Sequence, residues 1–141
     1  MKKIKTTLLI LLTLFTFTPN VKAASLSIWA SATNITVGKT VTISVNAKDM
    51  GGTFNITSSN NAVLSGGASG QWLESDTYTF NFTAKSVGKA TITVTPIDVA
   101  TTDEQVFTTS KSVTLNVVAK QTTNNNSAQG GTTSNKKEYS T

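Results

Sequence analysis

Thr40-Val41-Thr42-Ile43-Ser44-Val45-Asn46-Ala47 is the stretch that decides the fold. In an extended chain successive side chains point to opposite faces. Val41, Ile43, Val45 and Ala47 therefore share one face, and Thr40, Thr42, Ser44 and Asn46 share the other. The same alternation recurs from Thr77 to Ala84, where Tyr78, Phe80, Phe82 and Ala84 oppose Thr77, Thr79, Asn81 and Thr83. From Ala90 to Ile97 it sets Ala90, Ile92 and Val94 against Thr91, Thr93 and Thr95, and from Ser112 to Val118 it turns Val113, Leu115 and Val117 inward. Pro96 is expected to end regular pairing or to sit at an edge, since proline donates no ladder hydrogen bond. Each strand offers one apolar face, so two sheets must close on each other.

Working outward, shorter strand candidates fill the gaps at Leu26–Ser31, Ile35–Val37, Thr53–Thr57, Ala62–Ser65 and Gly70–Leu73. Turn residues separate them at Val37-Gly38-Lys39, Met50-Gly51-Gly52, Ser58 to Asn61, Gly66-Gly67 and Val87-Gly88-Lys89. Helical spacing is not sustained anywhere between Ser25 and Val118. Seven to nine short strands over residues 24–118 predict an all-β chain folded as an immunoglobulin-like antiparallel β-sandwich. No cysteine pins the sheets. Stability must then rest on burial, chiefly of Phe54, Tyr78, Phe80 and Phe82, each contributing about 1.5–3 kcal/mol when fully covered. One polar substitution at Phe80 or Ile43 is expected to unfold the domain.

The two ends of the chain have other compositions. Residues 1–23 begin with Lys2, Lys3 and Lys5, continue through an apolar run of ten residues from Leu8 to Phe17, and finish on small residues at Ala23. That is the layout of a secretory signal peptide cut after Ala23. The apolar run is well short of the roughly 18–20 residues that span a hydrocarbon core. Four of the 12 lysines leave with it, so eight face seven acids, a net +1 in place of +5. The basic character is mostly that of the leader, so neither nucleic acid nor an anionic membrane is an expected partner. Residues 119–141, with two alanines and one tyrosine as their only apolar side chains, read as a disordered linker or tail. The expectation is a secreted or cell-surface module with no membrane span after cleavage, monomeric by itself, and a fragment of a longer modular protein.

The 141 residues contain no His and no Cys. That removes histidine-based triads, cysteine nucleophiles and zinc sites built from nitrogen and sulfur ligands. Thr, Ser and Asn, at 27, 15 and 12 residues, suit strands, turns and solvated surface.

Three segments carry a family resemblance. They are Ile35-Thr36-Val37-Gly38-Lys39-Thr40-Val41-Thr42-Ile43-Ser44-Val45, then Ser58-Ser59-Asn60-Asn61-Ala62-Val63, and Ala84-Lys85-Ser86-Val87-Gly88-Lys89-Ala90-Thr91-Ile92-Thr93-Val94. With the closing strand Ser112 to Val118, the chain resembles bacterial immunoglobulin-like domains of the group 2 type over most of residues 25–118. Where members often carry a tryptophan before the Ser-Ser-Asn run, Ile56 and Thr57 stand here, and Trp72 lies in a longer Gly66–Asp76 segment. The resemblance implies extracellular scaffolding or binding without catalysis. Other extracellular domains or cell-surface glycans are the partners it implies.

Two kinds of candidate site remain. Trp29 and Trp72 are candidate ligand-binding residues, because an exposed indole can stack on a sugar ring; a carbohydrate-binding module is the alternative to a spacer. Asp98, Asp103 and Glu104 are candidate metal ligands, read as lying in one loop before the last strand. Calcium takes six to eight oxygens and three carboxylates could supply half. No other cofactor is expected. The same acids are not expected to work as a glycosidase pair, which must flank a cleft.

Overall fold

A computed structural model of the chain describes residues 23–122. The expected signal peptide falls, except for Ala23, outside the described residues, as does the expected disordered tail beyond residue 122. Nine strands form: β1 (Ser25–Ala30), β2 (Asn34–Thr36), β3 (Thr40–Lys48), β4 (Met50–Ser58), β5 (Leu64–Gly66), β6 (Ala68–Leu73), β7 (Asp76–Ala84), β8 (Gly88–Thr101) and β9 (Lys111–Val118). There is no helix among the described residues. One sheet has the order β1-β3-β7-β5 and the other β2-β9-β8-β4-β6. All pairings are antiparallel except that of β2 with β9. The described residues form an all-β, nine-stranded sandwich.

The core is the set of side chains that the alternation turns inward. Val41, Ile43, Val45 and Ala47 of β3 face Phe54 and Ile56 of β4, Ile92 and Val94 of β8, and Leu115 and Val117 of β9 across the interlayer space, all buried. Phe54 and Phe82 are fully enclosed. Tyr78 and Phe80 turn to the same side but are only partly covered. Phe80 thus does not rank with Ile43 as a position where a single polar substitution removes the fold.

Most connections carry the chain from one sheet to the other, and they need unusual backbone. Asp49 takes a positive φ of 54° to turn β3 into β4. Between β5 and β6, Gly67 (φ 113°) lies so close to Ile56 that a Cβ would collide with that residue's carbonyl oxygen. Only glycine fits such a position.

Strand β8 continues four residues past Ile97, beyond the expected end. Pro96 sits inside it, opposite Phe54, while Thr53 is opposite Asp98, so Ile97 is the extra residue of a β-bulge. The partner strand β9 begins opposite Val94. On that side Pro96 has no ladder bond to donate, which is why the strand tolerates it.

The register also fixes where the chain enters and leaves. Ser25 opens β1 opposite Lys48, at the end of the sandwich where β3 turns into β4. Val118 closes β9 opposite Thr36, at the other end, where the Val37 N–H donates to its carbonyl at 3.0 Å. The first end is called here the N-terminal pole and the second the C-terminal pole.

Candidate functional site

The two tryptophans lie on outer faces of different sheets. Trp29 of β1 is opposite Ser44 and 46% exposed. Around it runs a polar face in which Thr42 Oγ1 donates to Asn81 Oδ1 at 3.1 Å and Asn46 Nδ2 to Thr77 Oγ1 at 2.8 Å. Trp72 of β6 is opposite Thr53 on the other sheet and 56% exposed. The two indoles therefore cannot form one platform, which the sequence alone did not show.

Trp72 has the more organised surroundings. Its Nε1–H donates to Glu74 Oε1 at 3.0 Å, and the backbone N–H of Glu74 donates to the Tyr78 hydroxyl at 3.0 Å. A charge-assisted bond of this kind fixes the indole in one orientation. The same carboxylate lines an open hollow of about 380 Å³ with Met50, Gly51, Ser75, Ala100, Thr101 and Thr102. Gly51 and Ala100, paired across β4 and β8, keep its floor low. Ser75 Oγ holds one wall, accepting from the Met50 N–H and donating to the Met50 carbonyl, both at 3.2 Å. Next along the face come Thr53 and Asp98, in register with Trp72. An aromatic surface, hydroxyls and carboxylate acceptors can bind a polyhydroxylated ligand.

The proposed metal ligands do not converge. Asp98 lies within β8, exposed on its outer face, and not in the loop with the other two. Asp103 and Glu104 belong to a tight turn beyond the strand, where the Glu104 N–H donates to the Thr101 carbonyl at 2.9 Å and the Gln105 N–H to Thr101 Oγ1 at 3.1 Å. Among the described residues no three His, Cys, Asp or Glu side chains gather in a way that could hold a metal. The misplacement came from Pro96, read as the end of a strand that in fact carries Asp98 onward.

Sequence reasoning missed Glu74 as the partner of Trp72. The two are only two residues apart, but Glu74 lies just past the end of β6, where the alternation no longer orders side chains. It missed the hollow altogether, because β4, the β6–β7 corner and β8 build it from three distant segments.

No family model matches this chain, and no curated protein matches it either. Among solved structures the chain is similar to domains 4 and 5 of the S-layer protein SbsC, with 24% identity over 69% of this chain and 54% of that one, at a TM-score of 0.46. It is similar to domains 1–6 of the surface layer protein SbsC, with 26% identity over 74% of this chain and 15% of that one, at a TM-score of 0.47. A third is the S-layer protein rSbsC(31-844), with 25% identity over 70% of this chain and 14% of that one, at a TM-score of 0.46. The chain spans about half the length of the first of these and a far smaller part of the other two.

Proposed function

We propose that the chain is a non-catalytic, exported module of a bacterial surface or extracellular protein, of the immunoglobulin-like group 2 kind, working as a spacer and interaction domain. The observation that carries this reading is the placing of Ser25 and Val118 at opposite poles of the sandwich. A module entered at one end and left at the other adds its whole length to a protein. The basic leader, short apolar run and small residues before Ala24 support export. A second reading has one observation in its favour: the indole of Trp72, held by Glu74 beside an open hollow, is arranged as a sugar platform is.

Expression in a bacterial host tests the first reading. Protein recovered from the medium or envelope should begin at Ala24, and an uncut chain kept in the cytosol contradicts export. Titration of the recovered protein with cell-wall and plant polysaccharides should leave tryptophan emission unchanged. A saturable shift that is lost in Trp72→Ala and kept in Trp29→Ala contradicts the spacer reading and supports the glycan one.

A further inference from the structure

The charges of the sandwich are sorted by pole. All six acids among the described residues lie toward the N-terminal pole. Asp49 is in the β3–β4 corner, Glu74 and Asp76 are at the β6–β7 corner, Asp98 is near the end of β8, and Asp103 and Glu104 follow it. Four of the six described lysines lie at the C-terminal pole. Lys39 precedes β3, Lys85 and Lys89 flank the β7–β8 corner, and Lys120 stands two residues past Val118. Only Lys48 and Lys111 sit in the acidic half, so the poles carry a net −4 and +4. An amino terminus freed at Ala24 brings the first to −3.

A second observation, independent of charge, follows the same division. Three of the exposed large apolar side chains lie at the poles, Val106 (81%) opposite Ala100 at the acidic one and Val87 (61%) and Val118 (40%) at the basic one, whereas Trp29, Trp72 and Ile97 lie along the strands. Each pole thus exposes apolar surface among charges mainly of one sign, which is the anatomy of a contact surface with a charged rim.

We propose that the acidic N-terminal pole of one copy of this module docks on the basic C-terminal pole of another, head to tail. The occupant is a second copy, argued from the complementary charge of the two poles and from the apolar surface that each exposes. Such a contact is heterologous and does not close on itself, so it builds open rows. An isolated copy in dilute solution remains monomeric. The proposal extends the spacer reading by giving the spacer a partner.

Sedimentation of the chain recovered from the medium tests it, at roughly 1 mM protein and in low and high salt. Rim charges are screened within about 10 Å at 0.1 M salt. The average mass should rise clearly above the monomer in low salt and return to it at about 0.5 M. The triple variant Lys39→Gln, Lys85→Gln, Lys89→Gln should stay monomeric. The charge-matched variant Ser27→Glu, Ser44→Glu, Thr79→Glu, altered on the outer face of the β1-β3-β7 sheet, should still associate. Carbodiimide cross-linking should join pole lysines to pole acids of different copies. A native chain that stays monomeric in low salt, association that survives the lysine substitutions, or cross-links confined to other surfaces overturns the proposal. Export and indifference to polysaccharides, measured separately, would leave the spacer reading standing.

Discussion

Ile43→Asp is expected to leave the chain unfolded at room temperature. Ile43 has no exposed surface and lies mid-strand in β3, in register with Ala30 on one side and Phe80 on the other. The substitution forfeits about 1.5–3 kcal/mol of apolar burial. It also places a carboxyl group where, among the described residues, no charged or polar side chain is buried to receive it, which costs several kcal/mol more, whether the group ionises or stays protonated. Domains of this size are stable by about 5–15 kcal/mol, and no disulfide adds to that here. Circular dichroism should show no cooperative melt. Ile43→Val should cost only about 1 kcal/mol. A cooperative transition for the aspartate variant within a few degrees of the native one contradicts this account of the core.

Gly52→Ala should be nearly as damaging, although it adds a single methyl group. Gly52 has a φ of 152° and sits in β4 between Leu73 of β6 and Val99 of β8. A Cβ there would collide with the Asp98 carbonyl oxygen and come within 2.6 Å of the Val99 Cα. Both obstacles are backbone, so the β4–β8 pairing must part next to the bulge. Strain and overpacking of this order cost about 3 kcal/mol or more, which lowers the melting temperature of a domain this size by about 15 °C. Gly38→Ala is the comparison: its φ is 89° but a Cβ there meets nothing within 4 Å. It carries only left-handed backbone strain, about 1–2 kcal/mol. Equal melting temperatures for the two variants would show that the close approach of β4 and β8 is not as described.

Strand positions were legible because a side-chain period of two survives whichever sheet a strand joins. All nine segments expected from the alternation are strands, with shifted ends. The sheet a strand joins was not legible. β5 and β6 are separated by Gly67 alone, yet they belong to different sheets, and nothing local in Leu64 to Leu73 says so. Pro96 misled because its effect depends on where β9 begins, a matter of long-range register. The same reason hid the poles. Asp49, Glu74, Asp98 and Glu104 are scattered along the sequence, and only the direction of each strand brings them to one end. The Trp72–Glu74 bond is local in sequence, yet Glu74 stands just past the end of β6, so the alternation did not point to it.

The central claim is that the chain enters one pole of a sealed sandwich and leaves by the other. The absence of native cysteine lets it be tested with two spin labels, on Ser25→Cys and Val118→Cys, both exposed. The eight residue steps of β3 between the two levels, at about 3.3 Å each, set a separation of roughly 25–30 Å. A single narrow distribution near that value is the predicted result. A distribution centred below about 15 Å, or one too broad to define a distance, would contradict the account.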